Sequence, residues 1–424
     1  MADPAGIDED RVAALGRERL DWRFKAVPAA AHGSTVTEYL ATRPTLDDLG
    51  TPLLTLDATA LGHNLDTMAA WCAAAGVDLA PHGKTTMAPA LWQRQLAAGC
   101  WGITLANLPQ LRVGRAFGLR RVHLAGALLD PAGLAWLAAE LDADPGFAFT
   151  SWVDSVRSVR LMDAALRAAG AGRPVDVCVE LGAPGGRTGA RSAADAREVA
   201  RAVRAAPTLR LIGLAGYEGA LAHDAGPAGL AAVRGFLTDL LALYERLRHD
   251  GSFEDADEVL LTAGGSAYFD TVAEVLGRAA GPGVRVVLRS GAYLVHDDGF
   301  YRGLSPLSRG AGRPLRSAMH GWARVVSRPE PGLALLDAGK RDLPYDEGLP
   351  HPQLVRGGGA PGGAVTALND QHTFLRGAAV RIGDVVRLGL SHPCTALDKW
   401  SLIPVLDSAD ADRPRVVDLV RTYF

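Results

Sequence analysis

Between residues 51 and about 290 the chain alternates short, mainly apolar runs with longer alanine- and leucine-rich stretches. Eight apolar runs recur around 77–80, 102–105, 121–125, 147–152, 175–180, 211–216, 258–262 and 284–289. Apolar runs of this length predict short strands. The stretches between them carry apolar residues at helical spacing and predict helices over Ala88–Ala98, Pro131–Leu141, Ser155–Ala169, Ala193–Ala205 and Gly229–Arg248. Eight strand–helix units predict a parallel sheet closed as a (β/α)8 barrel, an α/β fold. The alternative is an open doubly wound sheet. Its dinucleotide-binding version is disfavoured, because no strand leads into a Gly-x-Gly-x-x-Gly turn. Ahead of this rhythm stand a short apolar strand, Leu53-Leu54-Thr55-Leu56-Asp57, and a helix over Ala58–Ala75 with Leu61, Leu65, Met68 and Cys72 on one stripe.

After about residue 305 the period changes. Short β-prone runs separated by turns lie at Gly321–Ser327, Leu333–Asp337, Ala364–Leu368, Val385–Leu390, Leu402–Leu406 and Arg415–Val420. They predict a mostly antiparallel β-domain, with the Gly-rich run 356–363 as a hairpin loop. The expected division is an N-terminal extension over 1–50, a barrel over 51–304 and a β-domain over 305–424. The extension reads as helical and then irregular, with no legible chemistry.

The formal net charge of −3 on 424 residues offers no basic surface for nucleic acid or an anionic membrane. The acidic N-terminus lacks the apolar stretch of a signal peptide, and no window approaches 18 apolar residues. The four cysteines, Cys72, Cys100, Cys178 and Cys394, are far apart, which predicts a reducing, cytoplasmic setting without a disulfide framework.

Candidate chemistry collects where strands end, the place a barrel of this kind puts its catalytic groups. Lys84 follows the first barrel strand in the turn Pro81-His82-Gly83-Lys84-Thr85, and it is one of only four lysines, with Lys25, Lys340 and Lys399. An amine there could attack a carbonyl cofactor; the other reading is an ordinary surface lysine. Thr262-Ala263-Gly264-Gly265-Ser266 ends another strand ahead of a helix, which suits a phosphate cup or a plain connecting turn. Arg187, Tyr217, Arg289 and Tyr293 also stand beside glycines at or after strand ends. Near the C-terminus, His392 and Cys394 in Ser391-His392-Pro393-Cys394 are two apart, a spacing that on a strand would turn both toward one metal ion. A thiolate ligand favours zinc. Asp370-Gln371-His372 offers further polar groups near substrate or metal.

These segments resemble the D-serine dehydratase and D-threonine aldolase family, with its alanine racemase-like fold, and in particular bacterial amino acid deaminase (D-serine deaminase-like) proteins. The resemblance rests on 79–90, Gly186-Arg187-Thr188-Gly189, Gly216-Tyr217-Glu218-Gly219, Arg289-Ser290-Gly291, Leu368-Asn369-Asp370-Gln371-His372 and Ser391-His392-Pro393-Cys394. It implies a pyridoxal phosphate barrel (fold type III), a first strand near 53–57 that joins the β-domain, and a homodimer with shared active sites. It implies that Lys84 is the Schiff-base lysine and the base at Cα. Arg187 would reach the cofactor's phenolic oxygen, and Tyr217 would contact the ring. Gly264, Gly265 and Ser266 would hold the phosphate, with Arg289 near the pyridine nitrogen and His82, Thr262 and Tyr293 lining the cofactor. His392 and Cys394 would bind Zn²⁺. The family often carries Glu-His where this chain has Asp370-Gln371-His372, so the histidine is displaced by one position. The implied reaction is loss of water from a D-3-hydroxy amino acid (D-serine, D-threonine or threo-3-hydroxyaspartate), giving a 2-oxo acid and ammonia. The alternatives are a D-threonine-type aldolase and a non-catalytic pyridoxal phosphate-binding protein.

Overall fold

The structure is a computed structural model that describes residues 6–310 and 312–424. Its contacts group the chain into two compact units that are not contiguous in sequence. One contains 69–84 and 94–291, with the start of the described chain up to Asp8; the other contains 9–68, 85–93 and 292–424.

The first unit holds eight parallel strands: β2 (Asp78–Leu79), β3 (Ile103–Leu105), β4 (Arg121–Leu124), β5 (Ala148–Val153), β6 (Val175–Leu181), β7 (Leu209–Gly216), β8 (Val259–Thr262) and β9 (Val284–Leu288). Their order, β2-β9-β8-β7-β6-β5-β4-β3, leaves β2 and β3 at the two ends. An isolated parallel bridge between His82 and Thr104 joins those ends, supported by the Thr104 hydroxyl donating to the Ala80 carbonyl at 2.6 Å. The sheet therefore curls into the expected barrel. Its interior is filled by Ala80, just after β2, and by Trp152, Cys178, Ala215, Leu260 and Val287 from five further strands, packed as one cluster. The helices start where their sequences supply caps. Asn107, Asp130, Ser155 and Ser192 accept from the third residue of their helices, and Pro131 stands in the first turn behind Asp130.

Close strand packing explains one glycine of β7. A Cβ on Gly213 would collide with the carbonyl of Leu260 on β8.

The second unit is built on a nine-stranded sheet. β1 (Leu53–Asp57) lies inside it, antiparallel to β10 (Met319–Glu330) and parallel to β16 (Leu402–Leu406). The other members are β11 (Leu333–Leu336), β12 (His351–Val355), β13 (Ala364–Leu368), β14 (Thr373–Arg376), β15 (Val385–Gly389) and β17 (Val416–Arg421). All pairings except β1 with β16 are antiparallel. Two strands are absent from the sequence reading. β14 is only four residues long, and β12 contains Pro352, which an edge strand tolerates and which masked the run as a turn. The Gly-rich run 356–363 links β12 to β13, which do not pair, so it is a connection and not a hairpin. Residues of the N-terminal extension have a structural role. Leu20, Phe24, Val36, Tyr39 and Leu46 share a core with Trp322, Val385 and Leu402. Each such buried side chain contributes about 1.5–3 kcal/mol.

Gly213→Ala should therefore overpack the β7–β8 contact and destabilise the barrel by about 1–3 kcal/mol, measured as a lowered thermal midpoint. An unchanged midpoint would contradict the close approach.

Candidate active site

In a parallel barrel all strand C-termini open on one side. There the first unit gathers Lys84, His82, His123, Trp152, Glu180, Arg187, Tyr217, Glu218, Thr262 and Arg289. Lys84 sits in the single 3-10 turn Gly83–Thr85 after β2. Arg289, just after β9, is buried. Its guanidinium donates to the Thr262 hydroxyl at 2.6 Å and the Gly216 carbonyl at 2.7 Å, and lies 4.8 Å from the centre of the Trp152 ring. Burial pulls this guanidinium down to about 10, while Glu218 and Glu180 act in the opposite direction. His82 is held well below the usual histidine range by burial and by the neighbouring charges of Lys84 and Arg289. Burial, then Arg289, lowers His123 likewise. Both imidazoles are therefore neutral. His123 accepts the Trp152 indole N–H on Nε2 at 2.8 Å, which places its own proton on Nδ1. The Nδ1 atoms of His82 and His123 are buried without a hydrogen-bond partner.

Arg187 lies on the loop after β6, its guanidinium 4.4 Å from the centre of the Tyr217 ring. Two neighbours stiffen that loop. The Thr188 hydroxyl donates to Glu180 at 2.7 Å, and Arg191 donates to the carbonyls of Gly186, Arg187, Thr188 and Gly189.

The Gly264-Gly265 turn is met by a side chain. Both backbone N–H groups are taken by the buried carboxylate of Glu218, at 3.0 and 2.7 Å. The turn does bind an anion, as its geometry suggests. That anion is the side chain of Glu218, just past the end of β7.

In the second unit, His392 and Cys394 are adjacent in space but not on a strand. Pro393 opens a short helix, Pro393–Leu397, and His392 precedes it in the left-handed region with φ 56°. The strand spacing argument therefore fails, because proline at the first helical position ends β15's extension and starts a turn. A helical turn still brings the two side chains together. Burial alone would lower His392, but its hydrogen bond and charge interaction with Cys394, and then Asp346, raise it to about 9. The Asp346 carboxylate is 2.6 Å from Nδ1 of His392, and Cys394 Sγ is 3.3 Å from the Thr85 hydroxyl. Tyr293 is buried in this unit. Asp370, Gln371 and His372 are exposed on the turn between β13 and β14, where Asp370 pairs with Arg341 at 3.7 Å.

Residues 318–406 match the family described as "Putative serine dehydratase domain", and 56–255 match "Alanine racemase, N-terminal domain". The chain is 30% identical to D-threonine aldolase of Arthrobacter sp over 348 residues, 81% of this chain and 85% of the relative. It belongs to the D-threonine aldolase and D-3-hydroxyaspartate dehydratase/aldolase family. Among solved structures, D-threonine aldolase from Filomicrobium marinum superposes with a TM-score of 0.75 at 28% identity, covering 90% of this chain and 97% of that one. D-threo-3-hydroxyaspartate dehydratase from Delftia sp. HT23 shares the fold, with a TM-score of 0.69 at 23% identity over 90% of this chain and 99% of that one.

The family supports pyridoxal phosphate as cofactor, and the barrel mouth fits it. An amine, two guanidinium groups, a tyrosine ring and two orphaned imidazole nitrogens converge there. For zinc the donor chemistry fits, since an imidazole and a thiol lie side by side. Among the described residues, however, no group of three or more His, Cys, Asp or Glu is arranged to hold a metal. Sequence reading missed Glu218, Glu180, His123 and Asp346. Glu218 stands inside the segment Gly216–Gly219 already singled out; the other three carry no local signal.

Glu218→Ala leaves two N–H groups without their acceptor, at about 1–3 kcal/mol each if they stay dry. It should lower the thermal midpoint more than Glu218→Gln, whose amide oxygen still accepts one bond. Equal midpoints for both variants and the parent protein would remove Glu218 from this role.

Proposed function

We propose that this protein is a pyridoxal phosphate- and zinc-dependent dehydratase of D-3-hydroxy amino acids, acting as a cytoplasmic homodimer. The observation that carries the reading is the Cys394 thiol within hydrogen-bond reach of the His392 ring. A thiolate beside an imidazole favours zinc over harder ions.

Lys84 would hold the cofactor, with Arg187, Tyr217 and Arg289 among the residues lining it. Pyridoxal phosphate supplies a sink for the electron pair left at Cα when a proton departs. Lys84 is the base that takes that proton. His392 and Cys394 would hold a zinc ion, which would supply Lewis-acid assistance to a leaving β-hydroxyl. Arg289 donates to neutral acceptors, Thr262 and Gly216, so neither of these bonds cancels its charge. The neutral His82 and His123 add polar lining without adding charge. For D-serine the balance is one substrate to one pyruvate and one ammonium ion: the β-hydroxyl and α-proton leave as water, and a water returns as the C–N bond is hydrolysed.

A second reading, cleavage of Cα–Cβ as in an aldolase, is favoured by the 30% identity to a D-threonine aldolase. It requires removal of the hydroxyl proton and no proton loss at Cα. A protein that only binds pyridoxal phosphate would do neither.

D-threonine separates the three. With cofactor and zinc present, the proposal predicts 2-oxobutyrate and ammonia in equal amounts, without glycine. Glycine with acetaldehyde would establish the aldolase reading, and no product from D-threonine, D-serine or threo-3-hydroxyaspartate would leave the binding protein. Cys394→Asp should shift the metal giving highest activity from zinc toward manganese, since a carboxylate is the harder ligand; an unchanged preference would contradict Cys394 as a ligand.

A further inference from the structure

The His392 ring is held by a device that the reaction itself does not require. One ring nitrogen, Nδ1, lies 2.6 Å from Oδ2 of Asp346. The other oxygen of the same carboxylate accepts the Thr395 hydroxyl at 2.6 Å, so the carboxylate cannot rotate away without losing a second bond. The backbone beneath is fixed as well. Asp297 is fully buried and accepts the N–H of His392 at 2.9 Å, together with those of Gly299, Tyr301 and Arg302. The Ser391 hydroxyl donates to the Glu347 carbonyl at 2.7 Å, which ties the segment carrying Asp346 to the one carrying His392. These bonds hold a non-glycine residue in the left-handed region, a conformation that needs such support. With Nδ1 engaged, Nε2 is the nitrogen left for a ligand, and Cys394 lies beside the ring.

We propose that Asp346 is a positioning residue: it fixes the tautomer and orientation of His392 so that Nε2 and the Cys394 thiolate address one divalent ion together. The inference rests on the zinc reading given above. A carboxylate on the second nitrogen of a ligating histidine also raises the basicity of the first, and its removal costs about 10–100-fold in metal affinity. Asp346 touches neither ion nor substrate.

The test is zinc affinity of the full-length, cofactor-loaded protein, measured by competition with a chromophoric chelator, for the parent protein, His392→Ala, Asp346→Ala and Asp346→Asn. Asp346→Ala should bind zinc about 10–100-fold more weakly, with the visible cofactor absorbance and the melting midpoint of the metal-free protein unchanged. Asp346→Asn should fall between, because its amide oxygen still accepts from Nδ1 without the charge; it also serves if the alanine variant does not fold. Parent-like zinc affinity in both Asp346 variants, with zinc lost in His392→Ala, overturns the inference and leaves the zinc reading intact. A parent protein that binds no zinc overturns both.

Discussion

A buried guanidinium has to be met by acceptors on every side, and Arg289 sets that requirement at the mouth of the barrel. Its partners come from the ends of two neighbouring strands, the Thr262 hydroxyl on β8 and the Gly216 carbonyl on β7, while the Trp152 ring on β5 covers its face. Leaving such a charge dry without hydrogen bonds would cost several kcal/mol. The strand ends must therefore stay in register, and the barrel interior below them must be filled, for the mouth to exist. Glu218 and Glu180 stand near enough to oppose the loss of charge that burial imposes, without forming the close pair that would neutralise it.

The same two carboxylates carry the constraint outward. Glu218 spends both oxygens on the Gly264–Gly265 turn, and Glu180 takes the Thr188 hydroxyl. Each pins a loop that bears other polar groups of the mouth. Arg187 and Tyr217, stacked on each other, belong to the two loops so fixed. Preorganisation of this kind is what a site needs if charge is to develop in it without rearrangement. The second unit achieves the same end differently. A proline-initiated turn places His392 and Cys394, and two aspartates, Asp297 and Asp346, hold its backbone and its ring.

The barrel was legible because eight short apolar strands alternate regularly with alanine- and leucine-rich helical stretches. β1 inside the second sheet was legible only through family resemblance, since Leu53–Asp57 has no local mark of its sheet. β12 and β14 escaped because one contains a proline and the other is too short to show a period. In the site, residues flanked by glycine at strand ends announced themselves. His123 did not, being one histidine within an apolar strand, and neither did Asp346, whose meaning depends on a residue 46 positions away. The expectation for His392 and Cys394 survived as proximity but not as strand geometry. The contact of Glu218 with the Gly264–Gly265 turn was not legible, because no sequence pattern says that a carboxylate 46 positions upstream meets those N–H groups.

The account stands on Lys84 as the residue that carries the cofactor. Its most direct test is borohydride reduction of the yellow protein followed by peptide mapping. The adduct is predicted on Lys84, within the peptide containing Pro81-His82-Gly83. A protein that takes up pyridoxal phosphate but carries the adduct on Lys25, Lys340 or Lys399 would contradict it.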